Sequence, residues 1–328
     1  MPELANQLLS LIDTPILRLV GERVDFANPA AQALLGQHIG QQDIRLALRD
    51  PKAVELVRSG QSGRTKLSGL SVTGSIWEME CHIIGEDRRM ITLTDLSVQV
   101  SVARAHADFV ANASHELRTP LTAILGYVET LKDPKAGDDP ATRGRFLDII
   151  GNEARRMQAL VSDLMSLSRI EAVRHQVPTD RADLAAIARE VIGERTRDEE
   201  VRFDTNRDNV ELAGDAGQLA QAVRNLVNNA VKYGKSGKGV TVSLEATDRG
   251  WVTLAIRDFG EGISPEHLPR LTERFYRTDT ARSRAEGGTG LGLAIVKHIV
   301  ERHRGRFDIS SRSGEGTVAT IMLPIDQL

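Results

Sequence analysis

His115 is followed directly by Glu116 and stands five residues ahead of Pro120, inside what otherwise reads as one long helix, "FVANASHELRTPLTAILG". Proline in a helix interior costs about 3 kcal/mol, because it removes a hydrogen bond and crowds the preceding turn. On a helical wheel the apolar residues of 109–131 centre near Leu117. His115 lies almost opposite and Thr119 shares its face, so both are expected at the surface. A lone exposed histidine has no necessary role. Here the proline loosens the turn that carries it, so the helix is expected to bend or open at that point.

A second set lies near the C-terminus. In "RNLVNNAVKY", Asn225 and Asn229 are four residues apart on one helix face, with Lys232 and Tyr233 a turn later. Amide oxygens suit Mg²⁺, a hard cation, and a lysine on the same face can reach a phosphate. Asparagine is a poor helix former, so Asn225, Asn228 and Asn229 within one helix need a reason. "IRDFGEGI" places Asp258 at a strand end, where a carboxylate can accept an amino group such as that of adenine. Gly260 and Gly262 follow and allow a tight turn. "EGGTGLGLAIVKHIV" runs Gly287, Gly288, Gly290 and Gly292 into an amphipathic helix whose N-terminus suits phosphates. It ends in no Gly-Lys-Ser/Thr and sits in no βαβ unit, so it is neither a Walker loop nor a dinucleotide fingerprint. "GEGT", with Gly314, Gly316 and Thr317, falls between the last two strands.

Three kinds of element must hold these residues, and the fold expected is multidomain α+β. Residues 1–97 read as a small α/β domain. "ILRLVGERVDFAN" is a strand pair around Gly21, and "NPAAQALLG" is a helix capped by Asn28, begun by Pro29 and stopped by Gly36. "SIWEMECHI" alternates, with Trp77, Met79, Cys81 and Ile83 on one face. Residues 98–175 read as two long helices, about 96–132 and 140–172, broken by "DPKAGDDP". Val98, Val102, Ala105, Phe109, Ala113, Leu117, Leu121, Ile124 and Val128 form the first stripe. Leu147, Ile150, Ala154, Met157, Val161 and Leu164 form the second. A lone hairpin cannot bury both faces, so an antiparallel hairpin completed as a dimeric four-helix bundle is expected. Residues 176–328 alternate helices with the runs "VRFD", "VELAGD", "VTVSLEA", "VTLAIRD", "RFDISS" and "TVATIMLP", an α/β sandwich.

"FVANASHELRTPLTAILG" resembles the phosphoacceptor box of bacterial two-component sensor histidine kinases. The C-terminal motifs, in their order, resemble the ATP-binding domain those kinases share with gyrase, chaperone and mismatch-repair ATPases. The likeness spans residues 100–328. It implies a Bergerat-type domain that binds ATP with Mg²⁺, the metal held by Asn229 and Asn225. The nucleotide residues it implies are Asn225, Asn229, Lys232, Tyr233, Asp258, Gly260, Gly262, Ile263, Arg277, Thr289, Gly290, Leu291, Gly292, Leu293 and Thr317. It makes His115 the phosphorylated nucleophile, gives Glu116 the carboxylate that holds the other ring N–H, and has Thr119 orient a water for dephosphorylating a partner. "LTERFYRTD" matches the F box, with Phe275, Tyr276 and Arg277 in a mobile lid. Phe259 departs from the family, which more often has a polar residue there. The expected partners are a second copy and the aspartate of a response regulator, with membrane-associated phosphate-transport or signalling proteins beyond them. Residues 5–97 resemble a PAS sensory domain, and the exit "LTDLS" resembles the phosphate-regulon type of sensor. A phosphatase-dominated regulator and an ATP-binding scaffold remain alternatives.

Composition agrees with these assignments. The 328 residues carry a net charge of −3, which gives no reason to expect nucleic-acid binding. One cysteine permits no internal disulfide and fits a reducing compartment. No apolar run approaches a membrane span and "MPELANQLLS" is no signal peptide, so a cytoplasmic location is expected for this chain.

Overall fold

The computed structural model describes residues 2–133, 139–194, 201–234, 238–247, 250–278 and 288–325. Most of the loop 132–140, together with Asp279 and Gly287, lies outside the described residues. The chain divides into two compact units, Met1–Ala111 and Asn112–Leu328.

The first unit is built on five antiparallel strands, β1 (Ile16–Val20), β2 (Arg23–Ala27), β3 (Gly63–Ser68), β4 (Ile76–Gly85) and β5 (Arg88–Asp95), in the order β2-β1-β5-β4-β3. The helices α1 (Pro2–Ser10), α2 (Pro29–Leu35), α3 (Ile44–Ala47) and α4 (Pro51–Arg58) accompany it. Asn28 caps α2 as expected. Its side-chain oxygen accepts from the N–H of Ala31 at 3.0 Å and of Ile16 at 2.9 Å, and its amide donates to the carbonyls of Ile12 and Thr14. A fully buried polar group is thereby satisfied. The alternation in β4 buries Trp77, Met79 and Cys81 in one cluster with Leu17, Leu19, Ile44 and Leu93. Ile83, assigned to that face from the sequence, is exposed. The ladder to β5 slips between Ile83 and Gly85, and the strand end runs past the core.

In the second unit, α5 (Ser97–Leu131, its first residues belonging to the first unit) and α6 (Pro140–Ala172) form the hairpin. Asp139 caps α6 and Pro140 fills its first position. The rings of Tyr127 and Phe146 lie 5.1 Å apart, and Arg156 reaches Glu116 at 3.4 Å. These contacts advance in opposite directions along the chain, so the helices are antiparallel. Leu160, Leu167 and Ile170 are buried, and α6 packs on α9 (Gly292–Arg302). Leu121, Leu125, Val128, Leu147, Val161 and Met165 stay exposed.

The rest is a layered lobe. Strands β7 (Val201–Thr205), β9 (Val240–Thr247), β10 (Trp251–Arg257), β11 (Arg306–Arg312) and β12 (Gly316–Pro324) form a mixed sheet, β11-β12-β10-β9-β7. Only β7 and β9 among these neighbours run parallel. Two three-residue strands, β6 (Arg181–Asp183) and β8 (Glu211–Ala213), pair separately. Helices α7 (Leu184–Gly193), α8 (Ala216–Tyr233) and α9 pack beside one another and against the sheet, α7 on β7. Leu226, Val227, Ile295 and Ile299 from the helices share the core with Val242, Leu254 and Ile321 from the strands. His303 closes the end of α9. Its Nδ1 donates to the Ile299 carbonyl at 2.7 Å and its Nε2 accepts from the Asp215 N–H at 3.0 Å, which fixes the tautomer. Burial holds this imidazole below the ordinary histidine range.

Candidate functional site

His115 is exposed on α5, as the helical wheel predicts, and Pro120 is buried one turn later in a helix that continues through it. Proline has no N–H to give the Glu116 carbonyl. Thr119 turns its hydroxyl back onto the carbonyl of His115, at 3.2 Å. The Glu116 carboxylate lies against Arg156 on α6. Asn112, His115 and Glu116 form one wall of a cleft of about 350 Å³, and Arg270, Glu273, Arg274, Phe275 and Tyr276 form the other. The histidine box thus faces the F-box segment.

That segment is fixed by the lobe. The Tyr276 hydroxyl meets His267 Nδ1 at 2.7 Å, and the Arg270 guanidinium stacks over the Tyr276 ring at 4.1 Å. Arg274 pairs with Glu171 of α6. Phe275 has φ of 63°, unusual for a bulky residue, and its N–H donates to the Gly290 carbonyl at 2.9 Å. The F-box residues 275–278 and the glycine loop after 288 are therefore tied together. Arg277 is half-buried in the same segment.

Asp258 is buried directly after β10. Its Oδ1 accepts from Gly260 N–H at 2.8 Å and Thr317 N–H at 3.2 Å. Oδ2 has no partner among the described residues. Burial pushes the carboxyl up, and the two backbone N–H groups only partly offset this. The turn needs its glycines. A Cβ on Gly260 would collide with the Tyr233 carbonyl, and Gly262, at φ 72°, would collide with the carbonyl of Arg312. The Ile263 N–H is held by the Ser311 hydroxyl at 2.8 Å, and that hydroxyl meets Thr317 Oγ1 at 2.9 Å. Phe259 is half-buried beneath the Arg257 guanidinium, so the departure from the family pattern leaves the turn intact.

Asn225 Nδ2 donates to the Gly292 carbonyl at 3.3 Å. This joins the asparagine helix to the start of α9, and the amide oxygen of Asn225 has no hydrogen-bond partner among the described residues. Asn229 lies one turn on, half-buried, and Lys232 follows with its ammonium 5.0 Å from the Tyr233 ring. Amide oxygens on one face fit a hard divalent cation. Thr289, Gly290 and Leu291 lead into α9, whose N-cap residue, Leu291, supplies no capping side-chain bond. Leu291 is buried; Gly292 and Leu293 open the helix.

Three contacts had no signal in the sequence. They are Thr289 with Asp163, Arg274 with Glu171, and Glu116 with Arg156. In each case a single charged residue of α6, ordinary in its own helix, meets a group far away in the chain.

The fold and site define a protein with a helical phosphoacceptor hairpin joined to an ATP-binding lobe. Residues 105–173 match the His Kinase A (phospho-acceptor) domain, and residues 214–327 match the histidine kinase-, DNA gyrase B-, and HSP90-like ATPase family. The chain belongs to the sensor histidine kinases, the ATP-dependent protein-histidine kinases of two-component systems. It is 36% identical over 325 residues to the phosphate regulon sensor protein PhoR of Pseudomonas aeruginosa, covering 95% of this chain and 72% of that one. It is 38% identical over 297 residues to the sensor-like histidine kinase SenX3 of Mycobacterium tuberculosis, covering 88% and 68%. Among solved structures, the Acinetobacter baumannii histidine kinase AdeS matches with TM-score 0.50 at 25% identity, over 65% of this chain and 98% of that chain. The histidine kinase ThkA in complex with response regulator protein TrrA matches with TM-score 0.55 at 20% identity, over 98% of each chain, a likeness of fold. No helix among the described residues is long and apolar enough to cross a membrane.

Proposed function

We infer that the kinase phosphorylates itself on His115 from Mg-ATP and passes the phosphoryl group to an aspartate of a response regulator. The observation that carries this reading is the shared cleft, with His115 and Glu116 on one wall and the F-box segment of the ATP-binding lobe on the other. A ring nitrogen of His115 attacks the γ-phosphorus, an N–P bond forms, and the bond to the β,γ-bridging oxygen breaks to release ADP. Glu116 then holds the N–H of the other ring nitrogen, after leaving Arg156. Asp258 accepts the adenine amine through its free oxygen. Gly260, Gly262, Ile263 and Thr317 support that end of the nucleotide. Lys232, Tyr233, Arg277, Thr289, Gly290, Leu291, Gly292 and Leu293 line the phosphate side. Asn225 and Asn229 hold Mg²⁺, which neutralises phosphate charge when bound.

In the same reading residues 1–97 are a PAS-like sensory domain, supported by the strand order β2-β1-β5-β4-β3. Residues 98–175 are the signalling, dimerisation and phosphotransfer hairpin, and residues 176–328 are the catalytic domain. Two copies join through the exposed apolar faces of α5 and α6. Similarity to a phosphate regulon sensor favours phosphate sensing as the input.

Labelling with γ-labelled ATP tests the site. Glu116→Gln is expected to slow labelling about 100-fold with nucleotide affinity unchanged, since a positioned acid–base group contributes that much or more. Labelling at the wild-type rate would contradict the assignment. The exposed Thr119 hydroxyl, one turn from His115, favours a second activity, dephosphorylation of the regulator. That activity should survive His115→Ala and be lost in Thr119→Ala; the reverse pattern would exclude it.

A further inference from the structure

The Thr289 hydroxyl has its one proton committed. It donates to Asp163 Oδ2 at 2.7 Å and accepts from the N–H of Leu291 at 3.3 Å. Asp163 belongs to α6, in the hairpin, whereas Thr289 leads into α9 of the ATP-binding lobe. The carboxylate is half-buried and Thr289 is its one hydrogen-bond partner among the described residues. It therefore brings a negative charge towards the uncapped N-terminus of α9, where the partial positive charge of the helix and its free N–H groups favour an anion.

We propose that Asp163 is a positioning residue for the nucleotide loop, a built-in competitor that occupies Thr289 until the phosphates of ATP displace it. This rests on the reading above, in which Thr289 and the start of α9 receive those phosphates. A phosphate and the carboxylate cannot share one hydroxyl and one helix terminus, since like charges at such a distance repel and each needs the same donor. The competitor is also replaceable. Its charge is partly desolvated, a single hydroxyl compensates it, and burial pushes its carboxyl above the ordinary range.

The lobe is docked on α6 at other points as well. Ser166 donates to Gln221 at 2.8 Å, and Glu171 pairs with Arg274 while lying 3.7 Å from His298. Ser166 and Gln221 lie outside the loop, so that pair separates local competition from docking in general. Arrival of ATP then frees Asp163, removes one of the ties between lobe and hairpin, and lets the lobe shift towards His115.

The test is the affinity of the full chain for a fluorescent ATP analogue with Mg²⁺, in wild type, Asp163→Ala and Ser166→Ala. Asp163→Asn serves if the alanine variant fails to fold. Removing a competing state restores the intrinsic affinity, so Asp163→Ala should bind about three- to tenfold tighter. Ser166→Ala should stay near wild type. Unchanged or weaker binding by a folded Asp163 variant would overturn the proposal. So would equal tightening by Ser166→Ala, which would assign the effect to undocking. If neither wild type nor variant binds the analogue, the underlying nucleotide assignment fails and this proposal fails with it.

Discussion

At the level of single residues, the role proposed for Asp258 sets stability against binding. Its carboxyl is buried, its Oδ1 accepts two backbone N–H groups, and Oδ2 is left for a ligand. Burial places the folded carboxyl above its unfolded value. Protonation therefore favours the folded state. The group's share of stability is present below the ordinary carboxylate range, around pH 4, and is lost as pH rises through the raised folded value. In Asp258→Asn the amide oxygen can keep both backbone bonds, while the NH₂ would face the adenine amine, donor against donor. The variant is expected to melt at or above the wild-type temperature at pH 7 and to bind ATP at least about tenfold more weakly, as a mispaired polar group requires. Calorimetry with nucleotide titration checks both. Lower stability with full affinity would reverse the assigned role.

At the level of elements, α5 carries the proposed acceptor, His115, and a proline together. The helix continues through Pro120, but the Glu116 carbonyl, at the residue after His115, has lost its backbone donor. We expect that local weakness to let α5 bend and change how the histidine is presented. Pro120→Ala restores the donor and should shift the ratio of autokinase to regulator-phosphatase rates by at least about twofold with ATP affinity unchanged. An unchanged ratio would refute the bend. The elements were largely legible in the sequence. The ends of α5 and α6, the Asn28 cap and the strands β1, β2, β4, β5 and β7 to β12 follow from periodicity, prolines and glycines that act within a few residues. Strands β3 and β6 are not legible: Gly63–Ser68 carries mostly polar residues and forms by pairing with β4, and the three residues Arg181–Asp183 hold no periodicity and form by pairing with β8. Ile83 was misplaced because alternation fixes a face but not where the core beneath it ends. The proposed nucleotide residues stand out because glycines and asparagines occupy places where helix and strand formers belong. Asp163 and Glu171 do not, since an acid on an amphipathic helix is ordinary until its partner arrives from a distant part of the chain.

At the scale of the whole molecule, the hairpin leaves a line of apolar side chains exposed, among them Leu121, Val128, Leu147 and Val161. Full burial of such a side chain is worth about 1.5–3 kcal/mol, and these, roughly half exposed, each offer a part of that to a second copy. The double substitution Val128→Glu with Leu147→Glu should turn a dimer into a monomer by light scattering, because buried unpaired carboxylates cost more than the packing returns. A variant that remains dimeric would move the interface elsewhere. Phosphoryl transfer to His115 is read most simply by incubation with γ-labelled ATP and Mg²⁺, comparing wild type with His115→Gln. The expected result is a label that is acid-labile and alkali-stable in the wild type and absent from the variant, with ATP binding intact in both. Equal labelling of the variant, or no label in a wild type that binds ATP, would contradict phosphoryl transfer to this histidine.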